Sequence, residues 1–248
     1  MKIFLLLLLT LVPHFASARV FNLDKQKLAF YMKGSFGSSR MERDAFAFSD
    51  GATANVTETV EFQYAGEMGV YFNSAEWGFR AGVLGVYPQV LDGVEAKNVA
   101  GAVEYNLTSR VFGVIPVGHI EYALISNSEF RWYVSLGGGI GSVTILNSYA
   151  FTASSPYGLI DFTEEGTAWV PMYEGSTGFE FSLADNVTML FDAGYRHLMG
   201  TGFKHTRAAN TFVGEVSKGS KMTNVGGGER EVDMISMSVG LGFKFYFL

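Results

Sequence analysis

From Lys27 to the end of the chain, apolar and polar residues alternate with a period of two. An extended strand sends successive side chains to opposite faces, so this period reads as β-structure in which each strand has two different surroundings. The clearest run is 59 to 72. Val60, Phe62, Tyr64, Gly66, Met68, Val70 and Phe72 share one face, and Thr59, Glu61, Gln63, Ala65, Glu67, Gly69 and Tyr71 the other. Near the C-terminus Ile235, Met237, Val239, Leu241, Phe243, Phe245 and Phe247 alternate with Ser236, Ser238, Gly240, Gly242, Lys244 and Tyr246. Seven consecutive apolar positions on one face are long for a soluble strand. The same pattern marks nine segments, at about 27–37, 57–73, 76–87, 95–107, 112–125, 130–146, 167–183, 186–198 and 232–247. Most reach the 9 to 11 residues, roughly, that a tilted strand needs to cross a bilayer.

Composition narrows the reading. Of 248 residues 48% are hydrophobic, 17% charged and 30 are glycine, with no cysteine, which excludes a disulfide scaffold, a cysteine-ligated metal site and a disordered acidic tail. The formal charge of −6 argues against nucleic acid as a partner. The one long apolar run is Ile3 to Val12, preceded by Lys2 and followed by Ala16-Ser17-Ala18, small residues where a signal peptidase cuts. Residues 1–18 are expected to be a cleaved secretory signal and 19–248 a single domain. Ten apolar residues ended by Pro13 are too few to span about 30 Å of hydrocarbon as a helix.

A β-sandwich or a lipocalin-like barrel would also alternate, with the apolar face inside. Here the opposite face carries Lys33, Glu61, Glu67, Arg80, Glu104, His119, Glu121, Arg131, Glu174, Glu180, Asp192, Arg196 and Lys244. A soluble core could not take up so many ions at several kcal/mol each, roughly, whereas a polar barrel lumen holds them paired or wet. The apolar face is therefore expected to meet lipid, with Phe72, Trp77, Tyr87, Phe112, Phe130, Trp132, Trp169, Phe181, Tyr195 and Phe247 in aromatic girdles. Connections read as short at Asn73–Glu76, Thr108–Val111 and Leu183–Asn186 and long at 38–56, 147–166 and 199–231, the asymmetry of a transmembrane barrel. The fold class expected is all-β, a closed antiparallel transmembrane β-barrel. Nine strands conflict with the even number such barrels have, so either 147–166 hides a tenth strand or 27–37 lies outside an eight-stranded barrel; ten is slightly favoured over eight. Pro116 and Pro171, inside segments, each imply a bulge or a misplaced boundary.

The strand Phe30-Tyr31-Met32-Lys33-Gly34-Ser35-Phe36-Gly37, the glycine-rich run Trp132 to Gly141, the strand Phe191 to His197 and the closing Val239-Gly240-Leu241-Gly242-Phe243-Lys244-Phe245 together resemble the small outer-membrane β-barrel proteins of Gram-negative bacteria, the broad OmpA/OmpX/OmpW-like group. The resemblance covers most of the chain and carries an architecture, not an activity. It implies a bacterial outer-membrane location, contact with outer-membrane lipid and lipopolysaccharide, and insertion by the barrel assembly machinery, which in this group reads a terminal aromatic residue; this chain ends Phe247-Leu248.

The chemistry-bearing candidates follow from the inward face. Glu174, Asp192 and Arg196 share it if the connection near Ala184 to Asn186 has odd length; with Asp185 at its centre Glu174 lies opposite Arg196, a shift by one pair makes them diagonal neighbours, and either way a lumenal ion pair is expected. Lys33, Arg80, Glu104, His119, Glu121, Glu174, Asp192, Arg196 and Lys244 are expected to form a lumenal charge network, either a charge filter in a pore or a plug that fills it. No catalytic arrangement, cofactor site or metal site is expected, since His119 has no nucleophile at a defensible spacing and His197 and His205 are isolated. Gly137 to Gly141 lacks the lysine and helix of a phosphate loop and reads as glycines that let the wall bend or admit a large neighbour across it. Lys204, Arg207, Lys218 and Lys221 make a basic loop on an acidic protein, able to contact lipopolysaccharide phosphates or simply solvated and disordered. The expectation is a monomeric, non-enzymatic barrel with a structural or surface-interaction role and at most a narrow passive pore. A porin-like channel and a lipid-modifying hydrolase are the alternatives.

Overall fold

The computed structural model describes residues 23–41, 45, 61–74, 76–98, 100–153, 160–225 and 227–247. The leader, 1–18, and the side chains of Glu61 and Tyr87 lie outside them. Among these residues eight long strands form an antiparallel ring: β1 (Leu28–Met41), β2 (Glu61–Ser74), β3 (Trp77–Lys97), β4 (Val103–Ser126), β5 (Phe130–Phe151), β6 (Phe162–Ala184), β7 (Val187–Gly200) and β11 (Val232–Tyr246). Each pairs with the next, β5 pairs with β6, and β11 returns to β1, so the chain's first and last strands form the seam. Three short strands, β8 (Lys204–His205), β9 (Ala209–Thr211) and β10 (Gly214–Val216), belong to the last long connection.

The ring of eight departs from the slight preference for ten. Segment 95–107 is no separate strand: it is the end of β3, a turn at Asn98–Ala102, and the start of β4. Thr108–Val111 lies within β4, paired to Ser148, Asn147, Leu146 and Ile145 of β5 and not in a turn. Among the described residues, 147–166 hold no tenth strand; most of these extend β5 and β6 beyond the expected ends, still paired at Tyr149 and Phe162. Residues 27–37 lie in the ring as β1. The described turn residues 76, 127–129 and 185–186 lie at the same end of the ring as Leu28 and Tyr246, and 98, 100–102, 152–153, 160–161, 201–225 and 227–231 belong to connections at the other.

Both prolines sit where a ladder bond is missing anyway. The β4–β5 pairing skips from Val114 to Val117, passing Pro116, and Pro171 lies just above Met172, where β7 makes its last pair with β6. Gly137 faces His119 across the wall, and a Cβ there would collide with the imidazole.

Strand β4 displays the logic of the whole ring. Toward the turn end its outward residues are Phe112, Val114, Pro116, Gly118, Ile120 and Tyr122, and its inward ones His119 and Glu121. Phe112 to Tyr122 spans about 33 Å along the strand, about 25 Å of height at the usual barrel tilt, the thickness of a lipid-facing band. Above Phe112 the assignment inverts. Asn106, Thr108 and Arg110 point out, and Leu107 and Val111 point in, each of these two only 1% exposed.

Candidate functional site

The band-level half of the lumen is filled by ions. Among the described residues Lys33, Arg80, Arg131, Arg196 and Lys244 face Glu67, Glu121, Glu174, Glu180 and Asp192, all buried, so five cations meet five carboxylates. Strand parity alone aims these residues inward. Lys33 Nζ lies 2.9 Å from Asp192, 3.4 Å from Glu67 and 3.6 Å from Glu174. Arg196 Nη2 lies 2.7 Å from Glu174 Oε2, the two residues directly opposite; the odd parity they need comes from a bulge between Ser182 and Ala184 rather than from a three-residue turn. Arg80 Nε lies 2.7 Å from Glu121. Lys244 bridges Glu180 at 2.9 Å and Glu121 at 3.5 Å, its ammonium 3.4 Å from the centre of the Tyr71 ring. Glu180 also accepts from Thr188 at 2.6 Å and Tyr246 at 2.7 Å, and Tyr31 donates to Glu67 at 2.6 Å. Arg131 donates to the Tyr71 hydroxyl and to Asn73 Oδ1.

His119 stands between Glu67 at 3.7 Å and Glu174 at 3.8 Å without a hydrogen bond from either ring nitrogen. Ligand atoms of these three lie within 4.8 Å of one another, a spacing a metal ion could use. The Lys33 ammonium already lies beside both carboxylates, so a metal would have to displace it.

Glu104 does not join this network. It lies at the far tip of β4, where the register shifts between Ala96 and Lys97, with its Oε2 unpaired. Parity carries Glu104 inward only if 95–107 is one strand, and the turn at Asn98–Ala102 breaks that parity. Sequence reasoning also passed over Tyr31, Tyr71, Tyr133 and Tyr246 as lumen fillers, although each has the parity of an inward charge.

The loop-end half is filled differently. Leu107, Val111, Ile115, Val143, Ile145, Val170, Met172, Leu198, Val232 and Met234 form an apolar core, into which the last long connection inserts Phe203 and Met222, 0% and 1% exposed. Phe212, from the β9–β10 hairpin, packs on Tyr105, Tyr149, Phe151 and Phe162 at centroid distances of 5.1 to 5.7 Å. A buried polar knot caps this core: Arg230 pairs with Glu164 at 3.0 Å, and Asn147 donates to the Ala45 carbonyl at 3.1 Å. Residues 201–231 thus form an ordered cap, not a solvated loop. Burial, and then the charge of Arg230, push the His205 imidazole below its ordinary pKa.

The four basic loop residues separate. Lys204 pairs with Thr167 of β6 and, across a bridge, with Lys221; Arg207 lies 4.0 Å from Glu165; Lys218 sits apart in an exposed turn. Lys221 is bonded to Glu229 at 2.6 Å, which raises its pKa. Outside, at the upper edge of the lipid band, His197 Nε2 lies 2.7 Å from Asp233.

A scan against protein-family models finds no match, and no curated protein matches the sequence. Among solved structures the chain is similar to Ail, the attachment invasion locus protein of Yersinia pestis, at 14% identity over 89% of this chain and 99% of that one, TM-score 0.40. It is similar to the outer membrane protein OprG from Pseudomonas aeruginosa at 16% identity over 90% and 98%, TM-score 0.45. A major outer membrane protein from Thermus thermophilus matches at 10% identity over 89% and 99%, TM-score 0.46.

Proposed function

We propose that the chain is a non-enzymatic, monomeric bacterial outer-membrane β-barrel with a sealed lumen, whose work is done by the folded cap it holds above the outer leaflet. The observation that carries this reading is the double filling of the lumen. A charge-selective pore keeps an excess of one sign along an open path. Here the band-level ions balance five against five, and the apolar core above them carries Phe203 and Met222 where an aqueous path would have to run. A narrow eight-stranded ring has an interior that side chains alone can fill.

Planar-bilayer recording of the refolded chain tests the reading. Folded, inserted protein is expected to give no unit conductance steps, and none when Glu174 and Arg196 are both neutralised. Discrete steps from the wild-type chain would overturn the seal and make the lumen a channel.

A further inference from the structure

Two features of the outer wall are joined by strand β6. The first is a depression of about 870 Å³ in the lipid-facing surface, floored by Gly175, Thr177 and Ala193 and flanked by Leu136, Tyr195 and Met237. The second is the lysine pair above it. Lys204 extends the sheet beside β6 at Thr167, one outward position above the 72%-exposed Trp169, and Lys221 lies opposite it across the bridge. Like charges directly opposite each other repel. Glu229 offsets Lys221, but among the described residues Lys204 has no ion pair. Eight residues of β6 separate Thr167 from Gly175, about 26 Å along the strand and about 20 Å in depth at the usual tilt. That depth is about one leaflet with its headgroups.

We propose that this wall holds one phosphorylated, acylated lipid of the outer leaflet, of the lipopolysaccharide class, with its phosphate between Lys204 and Lys221 and an acyl chain laid along β6 and β7 into the depression. Lys204 supplies an ammonium without an ion pair and Lys221 a second one once it turns from Glu229, and together they bind a phosphate dianion through charge-assisted hydrogen bonds. The small residues of the floor let the chain lie flush with the wall, and Trp169 sits at the level where the two parts of the lipid join. The site rests on the outer-membrane reading but not on the sealed lumen.

The test is intact-mass spectrometry of the refolded full chain in detergent micelles with bisphosphorylated lipid A, its dephosphorylated form, phosphatidylglycerol, or lipid A competed by inorganic phosphate. One equivalent of the bisphosphorylated lipid is expected to be retained. Lys204→Gln with Lys221→Gln should weaken retention about tenfold or more, as loss of charge-assisted contacts implies. Thr177→Leu with Ala193→Leu, which fills the depression, should weaken it likewise, and Lys218→Gln should leave it unchanged. Equal retention of the dephosphorylated lipid or of phosphatidylglycerol would overturn the proposal, as would displacement by phosphate alone or indifference to both double variants. The lipid comparison needs no variant to fold, and the conductance of the same preparation reports separately on the seal.

Discussion

Toward the turn end the strands put apolar side chains outward and charges inward; toward the loop end, on the same continuous strands β4, β5 and β6, they do the reverse. In β4 the exchange falls between Phe112 and Arg110 on the outer face and between His119 and Ile115 on the inner one. Backbone and period are unchanged across it. Period therefore decides which side chains share a face, while the medium outside decides which face is apolar: lipid below, water above. Below, the lumen is a neutral lattice of ions; above, it is an ordinary hydrophobic core.

The comparison predicts different failures in the two halves. Arg80→Met leaves Glu121 and Glu67 buried with one partner fewer and should cost about 3–5 kcal/mol, read from denaturant unfolding in micelles, whereas replacing Arg80 and Glu121 together by apolar residues should recover much of the loss. If the double variant is no more stable than the single one, the band-level lumen does not behave as paired ions. Phe203→Ala should cost about 3 kcal/mol, but locally, appearing as faster amide exchange across 201–231 with the ring still protected. Uniform loosening of all strands would erase the boundary between the halves. On the outer face, Ile140→Lys, level with the middle of the Phe112–Tyr122 span, should cost about 2–4 kcal/mol in a bilayer. Asn106→Lys, above the band, should stay within about 0.5 kcal/mol, and equal penalties would move the membrane boundary.

The smallest effect concerns pH. His205 has its folded pKa depressed, so the unfolded cap takes up the proton first. The stability this contributes is present above the unfolded value of about 6.5 and is lost as pH falls through it toward the lower folded value. Proteolysis of the cap should accelerate between pH 8 and pH 5, roughly the range in which histidine titrates, and His205→Gln should flatten that dependence. Unchanged acceleration in the variant would assign the effect to other groups.

Much of the band-level half was legible in the sequence because its determinants are local. Lys33, Glu67, Arg80, His119, Glu121, Glu174 and Asp192 announce their face by parity alone, and the Glu174–Arg196 pairing needed only the position of one turn. The upper half was not legible for the same reason. An inverted strand has the same period as an upright one, so the top of β3, its turn and the foot of β4 merged into one imagined segment, and Glu104 was carried inward with it. The cap is held by contacts between residues far apart in sequence, such as Phe212 on Tyr105 and Arg230 on Glu164. A polar, glycine-containing stretch gives no local sign of such partners.

The seam between β1 and β11 adds a constraint in time. Lys33 on β1 reaches Glu174 and Asp192, and Lys244 on β11 reaches Glu121 and Glu180. Until the first strand meets the last, Glu174 of β6 and Asp192 of β7 lack Lys33, and an unfinished barrel turns unpaired ions toward hydrocarbon. Neutralisation and closure are then a single late event, and lipid itself disfavours any intermediate that enters too early.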